Sequence, residues 1–184
     1  MSKSDVVVNV HANNGRDSMG VMEIFIGIDV GVSGALAAIN KDGDILALCD
    51  MPTELKKNKK KRVDGRELNS WVNSVVDFCA PCKVVAVVEA VASMPRDGSA
   101  SAFAFGDSLG VIRGVLACHL FRTEFVTPVS WKRHHKMLGT DKDYSRTVAK
   151  LRLPSAVLPL KKDHGKADAL LMAVYALDKF SNND

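Results

Sequence analysis

The chain is 184 residues long, 47% apolar and 25% charged, with a formal net charge of +4. This is the length of one domain with a full core and the composition of an ordinary globular protein, which excludes a disordered or low-complexity chain. No apolar run approaches the ~20 residues of a membrane span, the start lacks the apolar stretch of a secretory signal, and four cysteines in no dense pattern suggest a reducing compartment.

Residues 1–22 are polar and read as a loose tail, with Met22 as an alternative start; 23–184 reads as a single domain. Three strands are expected first: "EIFIGIDV" (23–30), "GALAAIN" (34–40) and "DILALCD" (44–50). The tight-turn signals of Gly31–Gly34 and "KDG" join them as a meander of hairpins. The run "KKNKKKR" at 56–62 holds six basic residues in seven and reads as a solvated loop. A helix follows from about Arg66, because Leu68, Trp71, Val72, Val75 and Cys79 share one face at a 3.6-residue period. It should stop near Ala80, since Pro81 disfavours helical geometry in the residue before it. "KVVAVVE" (83–89) is a strand whose unbroken apolar character suggests burial on both faces. After the loop "SMPRDGSAS" a helix is expected over about 103–120. Phe103 and Phe105 belong in its core, because Phe105, Leu109 and Ile112 follow helical spacing. A short strand at "EFVTP" comes next, then short helices in "PVSWKRHHKML" and "DKDYSRTVAKL", the second with Asp141 as candidate N-cap. A last helix covers about 164–179. This order, β-β-β-α-β-α-β-α with extra helices before the last, describes an α/β domain: a mixed sheet with helices packed on its faces.

"DFCAPCK" at 77–83 has the spacing of a redox dithiol. Its setting argues otherwise, because Cys79 and Cys82 follow a helix, at the negative end of its dipole, where a thiolate is disfavoured. A zinc site needs about four ligands, and Cys49 and Cys118 are isolated. A buried Cys on a helix face and a second in a turn account for the pattern.

The carboxylates are more telling. Asp29 ends "IFIGID" and Glu89 ends "VVAVVE", although Asp is depleted in strands and an ionised group near a core is costly unless paired. If the first and fourth strands lie side by side, their C-terminal ends bring Asp29 and Glu89 together. Like charges held close repel, and a divalent cation relieves that repulsion. Gly27 shares Asp29's face, and Gly31, Ser33 and Gly34 follow, so a backbone or a phosphate has room to approach. In "KKDHGKADALLMA", His164 and Asp168 lie four apart on one helix face. Asp163 falls ~140° from Asp168 by helical geometry and suits an N-cap. Asp168 interrupts a run that should face the core. Two-metal hydrolysis of a phosphodiester uses such acidic sets to hold ions about 3.5–4 Å apart, and hard oxygen ligands suit Mg²⁺ or Mn²⁺. The basic clusters at 56–62, 131–136 and 160–166 favour a polyanionic partner such as nucleic acid.

With "IGIDVGVSGALAAI", "VVAVVEAV" and "DHGKADALLMA" in this order, the chain resembles the RuvC-type Holliday junction resolvases of the ribonuclease H-like fold, most of all their phage and chloroplast branch. The resemblance spans roughly Glu23 to Tyr175. It implies a five-stranded mixed sheet flanked by helices and a homodimer that binds four-way junction DNA and makes paired nicks with two Mg²⁺ ions per site. By the same resemblance Asp29 bridges the metals, Glu89 holds one, and Asp168 is the last carboxylate. His164 serves as a ligand or proton-transfer group, with Asp163 in reserve. Bacterial members usually carry an acid or His three residues before the last acid, where this chain has Gly165; its four-residue spacing matches the phage and chloroplast branch. Lys132, after Trp131, would lie near the scissile phosphate. The loop after Glu89 enters the junction in relatives, which gives Arg96 a phosphate contact, though many phage relatives have Gly-Gln where this chain has Arg96-Asp97. Lys56, Lys57, Lys59, Lys60, Lys61 and Arg62 would touch phosphates without reading bases, and Arg133 adds to the basic cluster beside Lys132.

Three competing readings follow. "GIDVGVSGA" resembles the first phosphate loop of actin-type kinases, but that architecture needs two such domains and a second Gly-rich motif. A non-catalytic junction-binding protein would not be expected to keep Asp29, Glu89 and Asp168. A nuclease of the same fold acting on flaps or RNA–DNA hybrids shares the metal chemistry and differs only in its groove. No membrane partner is expected. A phage enzyme in the bacterial cytoplasm is the expected setting, with an organelle as the alternative.

Overall fold

The computed structural model describes residues 19–90, 98–141 and 143–181. Strands β1 (Met22–Asp29), β2 (Ala35–Asn40) and β3 (Ile45–Asp50) form the expected antiparallel meander. Buried Asn40 holds the β2–β3 turn: its Oδ1 accepts from the amides of Asp42 and Asp44 at 3.0 and 2.8 Å. After a small hairpin of β4 (Thr53–Leu55) and β5 (Lys61–Val63) comes helix α1 (Gly65–Cys79). Its N-cap is Asp64, whose carboxylate accepts from the amides of Arg66 and Glu67 at 2.9 and 3.2 Å. It stops at Ala80, which is extended at φ −58° and ψ 142°, as the following Pro81 requires. Cys79 is buried at the end of α1, Cys82 opens β6 (Cys82–Glu89), and neither takes part in a disulfide. Then follow α2 (Ser99–Cys118), β7 (Arg122–Val126), α3 (Pro128–His134), α4 (Tyr144–Arg152) and α5 (His164–Phe180).

β6 runs parallel to β1, and β7 parallel to β6, giving a five-stranded mixed sheet in the order β3-β2-β1-β6-β7. Strand alternation splits the core in two. Ile24, Ile26 and Ile28 of β1, with Ala86 and Val88 of β6, pack against Leu68, Trp71, Val72 and Val75 of α1 and Ile112 and Leu116 of α2. Phe25 and Val87 point the other way, into a cluster with Trp131 of α3, Val148 of α4 and the apolar residues of α5. A Cβ at Gly27 would lie 2.0 Å from the Ala169 carbonyl oxygen and 2.5 Å from the Ala173 nitrogen. The α5 backbone therefore rests directly on β1, and the room expected beside Gly27 is taken by a helix.

Four expectations need correction. The 56–62 run is a hairpin rather than a bare loop, with Glu54 paired to Arg62 and Leu55 to Lys61. Lys56 and Lys60 close its turn by a 2.8 Å backbone hydrogen bond, and Lys59 sits at φ 62°. Three-residue strands show no alternation, and Asn58 lacks the following Gly that marks a hairpin. Second, α2 begins at Ser99, four positions before Phe103, behind an N-cap Gly98 that has no side-chain cap to betray it. Third, Phe103 and Phe105 are 72% and 42% exposed. The face of α2 that goes inside is Ser108, Ile112 and Leu116, and Ser108 is tolerated there because its hydroxyl donates to the Ala104 carbonyl at 2.9 Å. Fourth, α2 is 20 residues long and holds an 18-residue window of mean hydropathy 1.3, enough by length and composition to cross a membrane. Asp107 and Arg113 break its apolar run. The helix is nevertheless docked on the domain through Ile112 and Leu116 and through a 3.1 Å ion pair from Lys56 to Asp107. Asp141 does cap α4, from outside it: its Oδ1 accepts from the Tyr144 amide at 3.0 Å, while Asp143 at the boundary makes no cap bond.

The contact at Gly27 carries a prediction. Gly27→Ala must push α5 off the sheet, and overpacking of this kind costs about 3 kcal/mol. Urea unfolding should show that loss; a change below ~1 kcal/mol would mean that α5 is not seated on β1.

Candidate active site

The parallel register of β1 and β6 pairs Ile28 with Val88. Asp29 and Glu89 are the next residues, so they stand at the same end of two neighbouring central strands, and alternation turns both toward α5. The close approach at Gly27 then brings in Asp168, the residue before Ala169. The first turn of α5 presses as closely: a Cβ at Gly165 would lie 3.2 Å from Asp29 Oδ2 and 3.0 Å from the Ser33 carbonyl oxygen. The position three before Asp168 thus has little room for a side chain, and the group available from this turn is His164.

Asp29, Glu89, Lys132, His164 and Asp168 line one cleft of about 380 Å³. The sequence singles out all five, and the fold brings all five together. Lys132 comes from α3, with its Nζ 5.2 Å from the centroid of the Trp131 ring, a cation–π contact. His164 has Nδ1 3.3 Å from the Lys161 carbonyl oxygen. A carbonyl only accepts, so Nδ1 carries the proton of the neutral ring and Nε2 keeps its lone pair.

Crowding dominates the electrostatics. Burial, then Glu89 and Asp168, push the Asp29 carboxyl up to about 8, against a smaller opposing pull from Lys132. Burial likewise raises Asp168 to about 6, opposed chiefly by a hydrogen bond from Ser145 and the charge of Lys132. Oδ1 of Asp168 is buried with no hydrogen-bond partner. An unpartnered carboxylate oxygen, set among other carboxylates whose charges oppose its own, is what a hard divalent cation satisfies. The donor set therefore fits such an ion, although among the described residues no three His, Cys, Asp or Glu side chains are already gathered to hold one.

Two neighbours of these groups escape sequence reasoning. Trp131 is fully buried, and its indole N–H donates to Glu89 Oε1 at 3.1 Å, which fixes the direction of that carboxylate. Its place before Lys132 is visible in the sequence, but its bond to a residue 42 positions away is not. Ser145, buried in α4, bonds Asp168, and nothing in the sequence marks it. Phe105, expected in the core, instead lines the cleft.

The remaining candidates lie elsewhere. Asp163 is buried outside the cleft, and its Oδ2 accepts from the Leu160 amide at 2.8 Å. It closes the 3-10 turn before α5 and makes no side-chain cap bond to α5 itself. Arg133 is exposed on α3 and does not line the cleft. Lys56 is ion-paired to Asp107 at 3.1 Å and Arg62 to Glu54 at 2.8 Å, while Lys57, Lys59, Lys60 and Lys61 are exposed. Arg96 lies outside the described residues.

No family model matches the chain. No curated protein matches it either. Among solved structures it is similar to a Thermus thermophilus RuvC structure, with a TM-score of 0.52 and 13% identity over 84% of this chain and 95% of that one. It is similar also to T. thermophilus RuvC in complex with a Holliday junction substrate, with a TM-score of 0.50 and 14% identity over 86% and 96% of the two chains. The mixed sheet flanked by helices is thus a ribonuclease H-like fold of the RuvC type.

Proposed function

We propose that this chain is a metal-dependent, structure-specific DNA endonuclease that resolves four-way junctions by paired symmetric nicks. The observation that carries the reading is the convergence of Asp29, Glu89, Asp168, His164 and Lys132 in one cleft on a RuvC-type fold. The junction as substrate is supported by the similar structure that holds one. The four-residue spacing of His164 and Asp168 supports the phage and chloroplast branch.

Asp29, Glu89 and Asp168 would hold two Mg²⁺ ions, with Mn²⁺ as a substitute and His164 as a further ligand or proton-transfer group. When bound, such ions stabilise charge developing on the phosphate and lower the pKa of water. The side chains contribute the rest. Lys132 offers a cation to a phosphate oxygen and eases the crowding of Asp29 and Asp168. His164 Nε2 is the free base on the cleft wall, suited to accept a proton. Trp131 is a positioning residue that holds Glu89 in its working orientation.

Two equivalent cuts call for two equivalent sites, and hence for a homodimer. The outer face of α2 supports this: Phe103 is exposed, and a Cβ at Gly106, Gly110 or Gly114 would meet open space, so a second backbone can come close.

End-labelled four-way junction, linear duplex and RNA–DNA hybrid, each incubated with the protein and Mg²⁺, test the reading. Symmetric nicks confined to the junction are expected, and Asp29→Asn should slow them by roughly 10³-fold, a loss of about 4 kcal/mol in transition-state stabilisation. Preferential cutting of the hybrid would overturn the substrate. Tight junction binding without cleavage would overturn the enzyme.

Trp131→Phe keeps the ring and deletes the donor to Glu89. Removal of an outer-shell partner costs roughly 10–100-fold in metal affinity or activity. The Mg²⁺ concentration for half-maximal cleavage should therefore rise at least ~10-fold. An unchanged Mg²⁺ dependence in a folded variant would remove Trp131 from this role.

A further inference from the structure

Beside the acidic cleft lies a larger trough of about 640 Å³. Both are lined by Ser33 and His164, so the two adjoin at these residues. Leu48, Met51 and Pro52 are among its apolar lining residues, Asp50 lines it as a carboxylate, and Lys61, Lys162 and Lys166 are its lysines. These lysines come from three separate elements: strand β5, the 3-10 turn before α5, and α5 itself. Lys166 is partly neutralised, at 3.3 Å from Asp50 and 3.8 Å from Asp163. Lys61 and Lys162 are exposed, and among the described residues neither has an acidic partner.

On the far side, the acidic cleft is walled by Phe105 and the stretch from Met137 to Asp141, and Lys132 is the one lysine or arginine among the described residues lining it. A DNA strand cut in the cleft has to leave it, and among the described residues lining the two cavities the lysines other than Lys132 all lie on the trough, past His164. Its apolar lining residues suit the sugar faces between the strand's phosphates. We infer that this trough is a binding track for the single strand leading away from the scissile phosphate, with Lys61 and Lys162 each holding one backbone phosphate. The inference rests on the nuclease reading and adds to it a direction for the strand and a DNA contact at Lys162.

The test is junction binding in EDTA, where metal-dependent cleavage is silent, measured over a range of salt for the wild type, Lys61→Gln/Lys162→Gln and a control, Lys150→Gln on α4. Each phosphate contact to a single strand contributes about 0.7 to the slope of log K against log salt. The double variant should lose about 1.4 from that slope, and Lys150→Gln should lose nothing. Ethylation of the backbone phosphates on the trough side of the cut should interfere, and that interference should fade in the double variant. An unchanged slope in a folded double variant, with the wild type cleaving normally, would overturn the track and leave the nuclease standing. The expected loss of slope in a protein that never cleaves would keep the track and remove the nuclease.

Discussion

At Gly27 the backbone of α5 occupies the space where any other residue of β1 would put its side chain. Most of the candidate site depends on that contact. It sets Asp168 against the end of β1, where Asp29 already stands next to Glu89 through the parallel pairing of β1 with β6. A second close approach, at Gly165, brings the start of α5 to the carboxylate of Asp29. Three acids from two strands and a helix are thereby confined by backbone contacts, which have no rotamers through which to relax.

Such confinement costs stability and prepares chemistry. Burial and mutual repulsion hold Asp29 up to about 8 and Asp168 to about 6, and Lys132 opposes both shifts. A core replaced by Ala and Leu at these positions would be more stable. Under the proposed function a divalent cation would relieve that crowding and supply the Lewis acid for the reaction. Trp131 and Ser145 belong to the same logic, since each spends its hydrogen bond on a carboxylate and so limits where that carboxylate can turn.

Much of this arrangement is legible in the chain. Asp29 and Glu89 announce themselves because an acid at the end of an apolar strand contradicts strand propensity, and the contradiction marks the site. Asp168 interrupts a helix core in the same way. What could not be read depends on partners distant in sequence or on faces that differ by one residue. The inward face of α2 runs through Ser108, a polar residue satisfied by its own helix, so Phe105 falls outside the core and into the cleft. The hairpin at 53–63 is held by cross-strand pairs too few to show alternation. Asp163 looks like a helix cap, yet its carboxylate turns back to the Leu160 amide. The indole of Trp131 reaches Glu89 across 42 positions of sequence, a bond that only the folded chain makes.

The central claim is that the acids are crowded in wait for a cation, and thermal unfolding against pH, with and without Mg²⁺, tests it most directly. The folded state holds the Asp29 proton to about 8, whereas the unfolded chain releases it near 3.8, so metal-free stability falls as pH rises through that interval. Below pH 6.5 the trend is mixed, because Asp168 still titrates and buried His135, held at about 4, contributes the opposite slope. Between pH 6.5 and 8, Asp29 is the group among those shifted that still changes charge. In that window the account predicts a falling Tm without metal, restored by Mg²⁺, and neither effect in Asp29→Asn. A Tm that stays level or rises with pH and ignores Mg²⁺ would contradict it.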